Sequence, residues 1–73
     1  MVTVYGTATC MPCRSTKKHL EKKGVDYNFV DVSLDAEGYD KITTLGYSSV
    51  PVVVTPSGEH WQGFQPDKLN SLA

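Results

Sequence analysis

Two cysteines separated by two residues, Cys10-Met11-Pro12-Cys13, stand between an apolar run and the start of a helical pattern. Few folds accommodate that arrangement. Val2-Thr3-Val4-Tyr5 is β-rich, and about Met11 to Lys23 reads as a helix with Pro12 in its first turn, where a missing N–H is tolerated. The cysteines therefore open a helix directly after a strand. The first N–H groups of a helix have no partner within it and its dipole is positive there, so a sulfur at that end is stabilised as thiolate, the nucleophilic form. With this spacing the second thiol can displace whatever the first has bound. The pair has the layout of dithiol–disulfide exchange.

The rest of the chain alternates strands with helices. The first helix has a thin inward stripe of Cys13, Thr16 and Leu20, with Arg14, Lys18 and Lys22 outward and Gly24 as its left-handed stop. Asp26 to Val32 reads as a second strand. Ser33 or Asp35 is the expected cap of a second helix, which carries Tyr39, Ile42 and Leu45 inward and ends at Gly46. Val52 to Thr55 is the third strand, Pro56-Ser57-Gly58 a turn, and Glu59 to Gln62 the fourth strand. Pro66 opens a short helix through Leu72. A βαβ unit requires a parallel pair and a tight turn an antiparallel one, so the sheet is mixed.

Bulk properties exclude several classes. The chain has 73 residues, expected to be one domain over 1–73, with 40% hydrophobic and 21% charged residues, a globular composition. A net charge of −1 gives no case for nucleic acid or a membrane surface as partner. No apolar run approaches membrane-spanning length and no signal peptide is visible, so a cytoplasmic location is expected. Two cysteines are too few for a disulfide-stapled secreted domain.

This order, with CxxC at the start of the first helix, resembles the thioredoxin fold in its small glutaredoxin-like form, βαβ-αββα around a four-stranded mixed sheet. Trp61-Gln62-Gly63-Phe64-Gln65-Pro66-Asp67 is similar to the W-S-G-F-R-P-D signature of NrdH-redoxins, and Ser49-Val50-Pro51 looks like the family's cis-proline element. Asp31 to Asp35 and Leu45-Gly46-Tyr47 also match in place. The resemblance covers essentially the whole chain. It implies a monomeric electron carrier that takes electrons from NADPH through thioredoxin reductase and passes them to class Ib ribonucleotide reductase or another disulfide-containing protein. The implied catalytic pair is Cys10 and Cys13, with no bound cofactor beyond their redox-active disulfide. Met11, Pro12, Val50 and Pro51 are its neighbours, and a cis Val50–Pro51 bond would offer the backbone of Val50 to a substrate peptide. Arg14, Trp61, Gly63 and Phe64 are the residues expected to dock a partner, with packing beneath the motif as the alternative for Trp61 and Phe64.

Departures from the family pattern carry chemistry of their own. Gln62 and Gln65 replace Ser and Arg, and Gly6-Thr7-Ala8 replaces Thr-Lys-Pro. Thr7 stands where glutaredoxins carry a lysine, and Gly63-Phe64 and Pro66 replace their Gly-Gly and acidic residues, so glutathione binding is expected to be weak or absent. Pro12 removes one N–H from the helix start, which places the couple toward thioredoxin, about −270 mV, rather than glutaredoxins, about −200 to −230 mV. A glutathione-dependent glutaredoxin is the alternative, and a zinc or iron–sulfur module a further one. Zinc would need His19 and His60 beside the cysteines, yet His19 lies about 180° around the helix from Cys10. No metal site is expected. Both histidines are expected to be ordinary surface residues. Arg14 and Lys17, near the motif, could lower the thiolate pKa or meet an acidic partner.

Overall fold

Apolar residues alternate with polar ones along the first strand, and alternation in a strand buries one face. The computed structural model describes residues 1–72, so Ala73, the last residue of the expected domain, lies outside the described residues. Its elements are β1 (Val2–Gly6), α1 (Met11–Lys22), β2 (Tyr27–Asp31), α2 (Ala36–Thr44), β3 (Val52–Val54), β4 (His60–Gln62) and α3 (Pro66–Asn70). The strands form one sheet in the order β2-β1-β3-β4. β1 is parallel to β2, with Val4 opposite Phe29 and Gly6 opposite Asp31. β3 is antiparallel to β1 and to β4, matching Val4 with Val53 and Val53 with Trp61. The mixed four-stranded sheet and its helix order are those expected from the sequence.

One sheet face carries the main core. Val2, Val4, Val53 and Trp61 pack there with Leu20 of α1 and Leu69 of α3. The stripe of α1 is as its spacing predicts, with Cys13, Thr16 and Leu20 fully buried. Gly24, at φ +72°, closes the helix, and the next N–H, of Val25, donates to the Leu20 carbonyl at 2.9 Å. Tyr27 donates its hydroxyl to Glu21 at 2.5 Å, and burial, reinforced by that carboxylate, pushes its phenol pKa up to about 12.

The other face is covered by α2, and here the sequence expectation needs correction. Tyr39 is 54% exposed; the inward line is Gly38 and Ile42, with Leu45 half-buried just past the helix end. A Cβ on Gly38 would lie 2.6 Å from Val30 Cγ1. The helix reaches β2 because that position has no side chain, and turning Gly38 inward swings Tyr39 about 100° toward solvent.

The cap of α2 is Asp35, whose Oδ1 accepts from the Gly38 N–H at 3.1 Å. Ser33 is engaged elsewhere, its N–H donating to Asp31 Oδ1 at 2.9 Å. Asp35→Ala removes the side-chain acceptor at that helix start, for about 1 kcal/mol. In a domain of this size the expected loss is about 4–8 °C in Tm, measurable by thermal unfolding.

β3 and β4 are each shorter than expected. Thr55 leaves the strand because its hydroxyl accepts from the Glu59 N–H at 3.1 Å while its own N–H donates to the Glu59 carbonyl at 2.9 Å, and together these close the turn. Among the described residues no helix is long and apolar enough to cross a membrane.

Candidate active site

Thr7, Ala8 and Thr9 carry the chain from the end of β1 to the start of α1. Cys10 is the N-cap of that helix, in extended conformation, and its Sγ accepts a hydrogen bond from the Cys13 N–H at 3.1 Å. Pro12 contributes no N–H, and no acidic residue lies in the first turn. The sulfur therefore meets a backbone donor and the positive end of the helix with no nearby carboxylate on that turn.

Cys10 and Cys13 are joined as a disulfide with their Cα atoms 5.2 Å apart. Their environments differ. Cys10 is half-buried, while Cys13 is 0% exposed beneath it. Met11, between them, is 65% exposed. Arg14 is exposed, with Nη1 4.0 Å from Met11 Sδ. Lys17 Nζ rests 4.0 Å from the centroid of the Phe29 ring.

A residue that sequence reading passed over shapes this site. Gly6, the last residue of β1, is buried, and a Cβ there would lie 2.7 Å from Cys13 Sγ and 3.1 Å from Phe29 Cε1. The strand end can back onto the buried sulfur because it has no side chain. A glycine closing a strand just before CxxC was the available signal, but it reads equally as the start of a loop.

Pro51 is fully buried and the Val50–Pro51 bond is cis, as the family resemblance implied. Val50 lies outside β3. The Pro51 carbonyl accepts from the Gly63 N–H at 2.7 Å, and Gly63 adopts φ +87°, which favours glycine.

The proposed docking residues separate. Phe64 is 39% exposed and fits a surface role. Trp61 does not, because it is 5% exposed, packed in the main core, with its indole N–H lacking an acceptor among the described residues. Its place on β4 opposite Val53 turns the ring onto the face that α1 and α3 cover. Its role is packing.

The histidines are also more committed than expected of surface residues. His19 Nε2 lies 2.9 Å from Asn70 Oδ1 and its ring meets Phe64 edge-on at 6.0 Å, so it links α1 to the C-terminal segment. His60 Nδ1 pairs with the Tyr47 hydroxyl at 2.7 Å. The described residues gather no group of three or more His, Cys, Asp or Glu side chains able to hold a metal.

Known proteins share both the sequence and this geometry. A family model described as Glutaredoxin matches residues 2–61. The Gene 56 protein of Mycobacterium phage L5 is 44% identical over 72 residues, 97% of this chain and 70% of that protein. The glutaredoxin-like protein NrdH of Salmonella typhimurium is 33% identical over 72 residues, 97% of this chain and 86% of that protein. The solved structure of the glutaredoxin-like protein NrdH-redoxin from Escherichia coli, whose reported activity profile is thioredoxin-like, aligns with a TM-score of 0.92 at 30% identity, over 99% of this chain and 93% of that one.

Proposed function

The chain belongs to the glutaredoxin family, in its NrdH-redoxin group, and is a thiol–disulfide oxidoreductase with the thioredoxin fold; from that premise we propose that it reduces protein disulfides with Cys10 as attacking and Cys13 as resolving thiol. The observation that carries this assignment of roles is the difference between the two sulfurs. Cys10 is reachable and receives a backbone N–H, whereas Cys13 is buried beneath it.

The cycle follows from that difference. The Cys10 thiolate attacks one sulfur of a substrate disulfide, forming a mixed disulfide and expelling the other sulfur as thiolate. Cys13 loses its proton to that thiolate or to water and attacks Cys10 Sγ. The Cys10–Cys13 disulfide forms, the second substrate sulfur leaves and is protonated, and two electrons have passed to the substrate. The buried polar side chains among the described residues are Thr16 and Thr55, so no buried carboxylate serves as a base for Cys13. Returning the pair to the dithiol requires an external two-electron donor. We assign that role to a flavoprotein of the thioredoxin reductase type, and the role of acceptor to a ribonucleotide reductase or another protein disulfide, in the cytoplasm.

Glutathione is a poor fit in this reading. Thr7 brings no cation to its carboxylates, Phe64 stands where backbone would have to approach it, and Pro66 has no N–H to offer. The test is NADPH consumption with a protein disulfide in two parallel assays, one supplied with thioredoxin reductase, the other with glutathione and glutathione reductase. Turnover with thioredoxin reductase and at most a few per cent of that rate with glutathione is the expected result. The reverse ratio would make this a glutathione-dependent glutaredoxin.

A further inference from the structure

The resolving sulfur lies where a thiolate is costly to form. Cys13 is fully buried, and burial disfavours the charged form of a thiol. Thr16, the buried hydroxyl on the same stripe of α1, donates to the Pro12 carbonyl at 2.9 Å. The cation on the β2 side of this helix is Lys17. It follows Cys13 by four residues, so the two are neighbours on one helix face, and helical side chains lean toward the N-terminus, which carries its stem toward the turn of Cys13. Lys17 is half-buried, and its ammonium is held 4.0 Å from the centroid of the Phe29 ring. The edge of that ring and Cys13 Sγ close on one point beside Gly6, 3.1 Å and 2.7 Å from the place of its missing Cβ. Ammonium, ring and sulfur therefore form one packed group.

Other charged or titratable groups on the surrounding elements are engaged elsewhere. Arg14 and Lys18 are exposed, and Arg14 Nη1 lies 4.0 Å from Met11 Sδ. Tyr5 of β1 lies against the Gly38 side of the sheet. Asp31, opposite Gly6 on β2, accepts from the Ser33 N–H at 2.9 Å, and Lys68 of α3 lies over the Trp61 ring at 5.7 Å. Residues 7–9 and 48–51 carry no titratable side chain.

We propose that Lys17, held over Phe29, is the cation that favours the thiolate of Cys13 and so governs how fast the mixed disulfide resolves. The inference rests on the resolving role given to Cys13 above and adds the residue that makes a buried thiol reactive. In that step Cys13 gives its proton to solvent, its thiolate attacks Cys10 Sγ, the Cys10–Cys13 bond forms and the substrate sulfur leaves as thiolate. A positive charge beside a poorly solvated sulfur stabilises the form that attacks. The first attack, by Cys10, draws instead on the helix start and the Cys13 N–H.

The test is stopped-flow reaction of the prereduced protein with excess small aromatic disulfide that releases a coloured thiolate, followed across pH. The release that scales with disulfide concentration reports Cys10, and the concentration-independent release after it reports Cys13. Lys17→Met, which keeps an apolar stem on the ring, is expected to raise the midpoint of the second release by about half a unit to one unit. A less acidic thiol gives a more nucleophilic thiolate, so that release should be about two- to fourfold slower below the midpoint and about two- to threefold faster above it. The first release should keep its pH profile, and Lys17→Arg should restore the original second one. An unmoved second midpoint, equal movement of both, or Lys17→Arg behaving as Lys17→Met would each overturn the proposal. An unaltered protein whose second release still scaled with disulfide concentration would overturn the resolving role of Cys13 itself.

Discussion

Serine at position 13 is expected to turn the protein into a trap. Cys10 keeps its place at the helix start and the Cys13 N–H on its sulfur is a backbone group, so the substitution leaves the attacking thiol with its donor. The first exchange proceeds, and the mixed disulfide has no internal thiol to resolve it. Protein-disulfide reduction should stop at roughly one substrate per protein molecule, with the adduct accumulating. Cys10→Ser should form no adduct at all. Non-reducing electrophoresis and intact mass after incubation with a disulfide substrate distinguish the two variants. Position 13 is fully buried, so a hydroxyl there without a partner destabilises by about 1–3 kcal/mol. Cys13→Ala, which adds no polar atom, should trap substrate equally if the effect is chemical. If Cys13→Ser turned over at the original rate once glutathione was added, an outside thiol would be resolving the adduct, and the glutathione reading would displace the one proposed here.

What could be read from the sequence followed what is local. The stripe Cys13, Thr16 and Leu20 is set by helical spacing alone, and the stops at Gly24 and Gly46 by their freedom at positive φ, so these needed no tertiary information. Tyr39 failed because periodicity ranks an aromatic above a glycine as a core residue. The packing of α2 on Val30 instead demands the smallest residue at the closest approach, Gly38. Trp61 was legible as a motif member but not as core, since its neighbours Val2, Leu20 and Leu69 come from three separate elements. The His19–Asn70 bond depends on where two helices dock, which no local pattern records. Chemistry concentrated in a short motif is legible, and the shell that holds it is mostly not.

Gly6 belongs to that shell, and Gly6→Ala is expected to change both stability and redox balance. The added methyl would stand 2.7 Å from Cys13 Sγ, 3.0 Å from Cys13 Cβ and 3.1 Å from Phe29 Cε1. The strand cannot easily yield, because the Gly6 carbonyl accepts from the Val32 N–H at 2.9 Å within the parallel pairing to β2. The start of α1 has to give way instead, at about 1–3 kcal/mol for an overpacked core position. That penalty is not equal in the two redox states. In the disulfide, Cys13 Sγ is held by its bond to Cys10 and stays against the intruding methyl. In the dithiol the side chain is free to turn about χ1 and relieves part of the contact. The oxidised form is therefore destabilised more, which makes the disulfide easier to reduce and raises the potential. If about 1.4 kcal/mol is relieved on reduction, the rise is about 30 mV, and the variant becomes a weaker reductant. Equilibration in thiol–disulfide buffers with alkylation and mass measurement reads the potential, and thermal unfolding of each form reads the two penalties. Equal loss of stability in both forms with an unchanged potential would mean that the methyl is opposed by Phe29 and the Cys13 backbone rather than by the sulfur. Gly6 would then be a packing residue only.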